Sequence, residues 1–263
     1  MKSSWISSAL APLTLFATLV LGWEAAVQIY GINPIILPSP LQVGKSLWDE
    51  REILATGFRT TGLAAVAGLS ASVLLGGVIA ISFSLSSVLR SAVYPYLIFL
   101  QTVPIVAIAP LLILWSGYNF RTVVLVTIII SIFPIVSNTT SGLLSINPNL
   151  RDLFRLNGAS SFQTLIKLRI PAAISHLVLG MRISCGLAVI GAIIGEFFVG
   201  NSGQYDGLGT IMTRWQGRNY TSGLIAAILV STLLGIVFFV AVNQINQQCL
   251  RRWTSASNLD TDK

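Results

Sequence analysis

The chain has 263 residues, of which 54% are apolar and only 10% charged, with a formal net charge of +7. Soluble domains carry ~25% charged residues, so a water-soluble enzyme is excluded, and disorder needs the opposite bias. One histidine with two cysteines, Cys185 and Cys249, builds neither a multi-ligand metal site nor a framework of several disulfides.

The charges count the membrane crossings. Uncharged runs cover 3–23, 25–44, 60–89, 91–120, 122–150 and 219–250, and a helix needs ~20 mostly apolar residues to cross the hydrocarbon. Gly31-Ile32-Asn33-Pro34 and Leu37-Pro38-Ser39-Pro40 break up the second run. Transmembrane helices are therefore expected at 8–30, 60–85, 92–116, 121–145, 172–200 and 221–247, a single all-α domain over 1–263 with its core at 60–247. The first is expected to be a retained helix, because its apolar stretch exceeds a signal core and lacks a small-x-small cleavage site.

Segment 39–58 reads as an amphipathic helix lying on the outer surface. Ser39 can cap it, Pro40 suits its first position, and Val43, Leu47, Leu54 and Phe58 fall on one side. A solvated connector is the alternative. Residues 39–46 come within one position of the phosphate-loop pattern, but Ser39 replaces its first glycine and a proline follows, so no nucleotide is expected there. In the third and fourth spans, Pro104, Pro110 and Pro134 are expected to bend the helices and free carbonyls.

The polar stretch 145–171 is the most informative. Asn147-Pro148 can start a short helix with Leu150, Leu153 and Phe154 on one face and Arg151, Asp152 and Arg155 on the other, Asp152 and Arg155 being spaced to pair. Gly158 can end it in a left-handed conformation. Ser160 or Ser161 then caps a second short helix that carries Phe162, Leu165 and Ile166 and stops at Pro171. Apolar surface at the membrane's edge implies a protein partner; helices resting on lipid headgroups are the alternative.

The fifth span holds two charges, Arg182 and Glu196. Intramembrane charges are costly unless paired or hydrated, and so mark function by default. Fourteen positions apart, they lie roughly 21 Å apart along a helix, too far to pair, yet nearly on one face. Gly186, Gly191 and Gly195 permit close helix approach. The fifth span is therefore expected to line a path at a dimer axis; the alternative puts Arg182 at the headgroups and Glu196 at the outer interface. An even number of spans puts both ends on one side. The side with Lys2, Arg90, Arg151, Arg155, Lys167, Arg169, Arg251, Arg252 and Lys263 outweighs that with Lys45, Arg51, Arg59, Arg121, Arg214 and Arg218, so both termini are expected in the cytoplasm. No basic cluster alternates with aromatics, which argues against nucleic acid.

Asp152-Leu153-Phe154-Arg155-Leu156-Asn157-Gly158, nine residues, then Leu168-Arg169-Ile170-Pro171 resembles the EAA loop of permease subunits of ATP-binding-cassette importers, and Ala159-Ser160 is a common continuation. Asp stands for the usual Glu, and Leu153-Phe154 for two alanines. Trp23-Glu24, Leu37 to Pro40, Pro104 with Ala107 to Pro110, and Gly195-Glu196-Phe197 leading into Asn201-Ser202-Gly203 are similar to the nitrate/sulfonate/taurine branch. There the chain departs, with Gln204-Tyr205-Asp206 intervening before Gly207-Leu208-Gly209. The resemblance implies the importer permease fold with six transmembrane helices (MetI-like), a bacterial inner-membrane location and a second permease subunit, most simply a homodimer. It also implies two cytoplasmic ATPase subunits that hold the ATP and Mg, and a periplasmic or lipid-anchored binding protein; this chain itself would bind no cofactor and catalyse nothing. The loop would dock in each ATPase through Leu150, Leu153 and Phe154, rimmed by Asp152 and Arg155, with Gly158 setting the angle between its helices. The cargo is expected to be a small anion such as nitrate, a sulfonate, taurine or bicarbonate, or else a pyrimidine-type vitamin precursor or other small nitrogen compound. A stand-alone proton-coupled transporter using Glu196 or His176 is the remaining alternative.

Overall fold

The computed structural model describes residues 3–200 and 205–257, and every regular element among them is helical. α1 (Ser3–Tyr30) sits at the edge of the molecule, touching α2 (Pro40–Asp49) and reaching the core through Trp23. Ser39 and Gln42 form a reciprocal capping box at the start of α2, with Pro40 in the first turn. Its inward side buries Val43 and Ser46 against α11 (Thr221–Ser257), where the Ser46 hydroxyl donates to Ser222 Oγ at 2.9 Å and receives Tyr220 at 3.0 Å.

α2 is shorter than the amphipathic segment expected from the sequence. It ends at Asp49, and α3 (Arg51–Leu85) already runs through Leu54 and Phe58. Charged residues at 51, 52 and 59 mark where lipid gives way to water, and a helix has no reason to stop there.

The third crossing also differs. α4 (Ser87–Thr102) and α5 (Ile105–Ser116) meet at 102°, a broken or re-entrant arrangement and not one gently bent span. Val103 and Pro104 are extended at the break; proline disfavours helical geometry in the residue before it and supplies no N–H. Among the described residues four helices are long and apolar enough to cross a membrane, five if the bent pair counts as one, and α1 contributes a shorter apolar stretch, Thr14–Tyr30.

α6 (Phe120–Leu144) is the central helix, packed chiefly between α3 and α9 (Ile170–Val199). Without a hydrophobic force between helices in lipid, close approach depends on small side chains. On α3, a Cβ on Gly68 would lie under 3 Å from Thr127 and one on Gly76 under 3 Å from Ile135. On α9, Gly180, Gly191 and Gly195 press on the α6 backbone at Pro134, Thr127 and Val123. Gly186, expected to join them, faces open space.

Candidate functional site

At the end of the bundle where α6 finishes, α7 (Pro148–Leu156) begins with Asn147 accepting from the Asn149 N–H at 3.0 Å. It closes in a Schellman motif: the Gly158 N–H donates to Arg155 O and the Ala159 N–H to Phe154 O, with Gly158 at φ +69°. Ser160 immediately caps α8 (Ser161–Thr164), its hydroxyl accepting from the Gln163 N–H while the Gln163 side chain accepts from the Ser160 N–H. Two helices thus meet at a corner with almost no slack, because consecutive residues 157–160 carry a C-cap and then an N-cap.

The second helix does not stop at Pro171. α8 continues through a π-helical turn, Leu165–Arg169, into α9, so that Ser161–Val199 is one helix of 39 residues. Proline in a regular helix lacks a donor and crowds the carbonyl four residues back; the wider turn just before it relieves that crowding. The corner is therefore rigidly joined to a membrane-spanning helix.

Leu150, Leu153, Leu156, Phe162 and Ile166 are exposed, Phe154 is half-buried, and no residue of α7 is buried. Asp152 and Arg155, though spaced to pair, form no ion pair; the ion pair among the described residues joins Arg214 and Asp206. Ala159 is half-buried and Ser160 exposed at the corner. Arg169 was not singled out in the sequence for a structural role. Its Nη1 donates to Ser84 O at the end of α3 at 2.6 Å, fastening the arm to the bundle. Its position inside the Leu-Arg-Ile-Pro string was the available signal.

Arg182 and Glu196 do not share a surface. Arg182 is exposed and donates through Nη2 to Asn243 Oδ1 on α11 at 2.7 Å. Glu196 is 0% exposed. Its Oε2 accepts from Thr61 Oγ1 at 2.9 Å and from the Gly209 N–H at 2.8 Å, and its Oε1 from the Tyr205 hydroxyl at 3.3 Å. Thr61 Oγ1 in turn accepts the Leu208 N–H at 2.8 Å, so its own proton is committed to Glu196. A continuous chain of donors thus runs from the backbone at 208 to a carboxylate on α9. Burial first, then the adjoining carboxylate, push the Tyr205 phenol above its ordinary range, which keeps it a donor.

The same clasp explains the Gly-Leu-Gly string. A Cβ on Gly207 would stand 2.1 Å from the Glu196 carboxyl carbon, and one on Gly209 2.5 Å from Ile193 O. Tyr205, part of the intervening Gln204-Tyr205-Asp206, is itself buried in this network, while Asp206 pairs with Arg214 on α10 (Leu208–Gly217). Asn201, Ser202, Gly203 and Gln204 lie outside the described residues, as do Lys2 and Lys263 of the charge count. Among the described residues no three His, Cys, Asp or Glu side chains come together in a way that holds a metal.

The molecule is thus a helical bundle with an exposed apolar arm at one end, joined without a break to one of its long apolar helices. Residues 72–251 match the family described as binding-protein-dependent transport system inner membrane component, and the chain belongs to it: it is a permease subunit of an ATP-binding-cassette importer. It is 35% identical to the formylaminopyrimidine transport permease of Halalkalibacterium halodurans, over 93% of this chain and 96% of that one. With the riboflavin transport system permease of Chloroflexus aurantiacus it shares 30%, over 93% and 90%. With the putative aliphatic sulfonates transport permease of Escherichia coli it shares 28%, over 95% and 94%. Its fold is that of a permease chain of the inward-facing MetNI methionine transporter, with a TM-score of 0.60 at 19% identity over 76% of this chain and 97% of that one.

Proposed function

We propose that the chain is one half of a homodimeric translocation core, driven by two separate cytoplasmic ATPase subunits that hold the ATP and Mg, and fed by a periplasmic or lipid-anchored binding protein. Both termini and the α7–α8 corner then lie in the cytoplasm, as the basic residues favour. The observation that carries this reading is the exposed apolar face of Leu150, Leu153 and Phe162 on an arm continuous with α9. Leu150, Leu153 and Phe154 enter a cleft of the ATPase, Asp152 and Arg155 form the polar rim, and Gly158, Ala159 and Ser160 hold the corner. Pro171 sits where the arm enters the membrane. Closure of the ATPases on ATP moves the arm as a lever; because ATP acts only through differential affinity for two states, it favours the outward-open one.

Leu153→Asp places a charge in the docking face while leaving the bundle untouched. Affinity for the purified ATPase subunit is expected to fall by about 10-fold or more, with thermal unfolding of the isolated permease unchanged. Wild-type affinity in that variant would sink the docking assignment.

For the cargo, relatives of 30–35% identity over nine-tenths of the chain are permeases for formylaminopyrimidine and riboflavin, both nitrogen heterocycles, whereas the sulfonate permease stands at 28%. This favours a small nitrogen heterocycle of the pyrimidine kind. A small oxyanion such as nitrate, a sulfonate, taurine or bicarbonate is the second reading, supported by the sulfonate relative's match over 95% of the chain. Calorimetric titration of the cognate binding protein with both classes tests it: tight binding of a sulfonate or nitrate with none of a pyrimidine reverses the order.

A further inference from the structure

Between α4 and α6, at the ends nearest the α7–α8 corner, lies an open cavity of about 520 Å³, part of its wall being Pro95 and Leu144. Arg90, Ser91 and Tyr94 from α4 face Ser137, Thr140 and Ser141 from α6 across it. Its wall is unlike the lipid-facing sides of the bundle. Leu74, Leu75 and Val78 of α3, for example, are exposed and wholly apolar, whereas this cavity gathers five hydroxyl groups and a guanidinium.

Two groups in the wall are left wanting. Arg90 is half-buried and has no carboxylate partner among the described residues, whose ion pair lies at Arg214 and Asp206. Thr140 is 4% exposed and its hydroxyl has no hydrogen-bond partner. Thr139 beside it is likewise unpaired, whereas Thr127, Ser131 and Ser141 on the same helix each donate to the carbonyl four residues back. Buried polar groups are nearly always satisfied, and an exception calls for a reason. Tyr94 and Ser137 share a hydrogen bond of 3.2 Å across the cavity, joining the two walls. No acid lines it.

We propose that this cavity is a solute-binding station on the translocation path, selective for small acceptor-rich solutes, heterocycle or oxyanion, and unfavourable to cations. Arg90 supplies a planar guanidinium that stacks on a flat ring or grips an oxyanion. The hydroxyls of Tyr94 and Ser137 donate to ring nitrogens or oxygens, and that of Thr140, which has no exposed surface here, joins them by a rotation of its side chain. The assignment deepens the permease reading and rests on it: the sequence directs attention to Arg182 and Glu196 in α9, whereas the polar wall lies on α4 and α6.

The test uses the assembled transporter, with its ATPases and binding protein, in vesicles. Ser141→Cys is labelled with a membrane-impermeant thiosulfonate from the cytoplasmic side, beside the unsubstituted chain as control. Labelling is expected, slowed by formylaminopyrimidine or nitrate and not by choline. Absence of labelling, or equal protection by choline, overturns the assignment. Arg90→Gln and Thr140→Val are each expected to lower solute taken up per ATP hydrolysed by roughly 10-fold, the loss of one strong hydrogen bond. Thr140→Val removes an unpartnered hydroxyl, so its thermal unfolding should not move downward, and a transport loss there is not a folding loss. Wild-type uptake per ATP in both variants overturns the proposal. The phosphate of a lipid headgroup has the same chemistry. If it is the occupant, uptake rises when phosphatidylglycerol is added to phosphatidylcholine vesicles, Arg90→Gln abolishes the rise, and soluble probes give no protection; that pattern also overturns it. If the wild-type complex takes up none of the probes, the importer reading fails by itself, while thiol protection still reports on the cavity.

Discussion

Glu196 shows how an acidic side chain can be wholly buried when enough donors surround it. Its carboxylate gathers donors from α3, from the stretch after α9 and from the first turn of α10, so it fixes the end of the molecule opposite the α7–α8 corner. Each donor carries a separable prediction. Tyr205→Phe removes one long hydrogen bond and should cost about 1 kcal/mol in unfolding free energy. Thr61→Val is nearly isosteric, yet it strands both the Leu208 N–H and one lone pair of Glu196, and should cost about 2–3 kcal/mol. Gly207→Ala drives a methyl group into the carboxylate and should be worse than Tyr205→Phe. Thermal unfolding of the detergent-solubilised chain measures all three, and a Thr61→Val effect smaller than that of Tyr205→Phe contradicts the chain of donors. None of this was legible locally. A lone acid in an apolar span announces that it needs partners, but Thr61 lies 135 positions away, and only the paired glycines at 207 and 209 hinted at what presses on it.

At the scale of elements, the α7–α8 corner was legible because its determinants are contiguous. Asn147-Pro148, Gly158 and Ser160 act within a few residues of themselves, through caps that the side chains make with their own backbone. The continuation through Pro171 was hidden, since it depends on a π-turn that sequence period does not encode; at Pro104 a bend was legible, though not that it would reach 102°. The corner's geometry also refines what should break it. Nothing lies within 4 Å of a Cβ placed on Gly158, and its φ is +69°. Steric bulk is therefore not what the site excludes; a side chain that resists left-handed backbone is. Such a conformation costs an L-residue roughly 1–2 kcal/mol, less for asparagine. Gly158→Asn should keep uptake coupled to ATP hydrolysis, Gly158→Ala should lose part of it, and Gly158→Val most. A ranking by side-chain size alone, with Asn worse than Ala, would show that contact rather than backbone governs the coupling.

For the molecule as a whole, the charge pattern revealed how many times the chain meets the membrane, because an unpaired charge is expelled from hydrocarbon whatever the fold. It could not reveal which helix is central. That follows from small residues meeting backbone: α6 is held between Gly68 and Gly76 of α3 and Gly180, Gly191 and Gly195 of α9. Gly186, Gly191 and Gly195 were each expected to permit close approach, yet only the last two touch α6, since a helix advances past one face in five residues. These contacts leave α6 no room to slide independently of α3 and α9. The two kinds of glycine should separate cleanly. A Cβ on Gly180 would come 2.9 Å from Pro134 O, a backbone atom that cannot rotate away, so Gly180→Leu should destabilise the isolated chain by about 1–3 kcal/mol or prevent its folding. Gly186→Leu meets nothing within the chain and should stay within about 0.5 kcal/mol of wild type. If thermal unfolding ranks the two alike, the α3–α6–α9 sandwich is not what holds the bundle together.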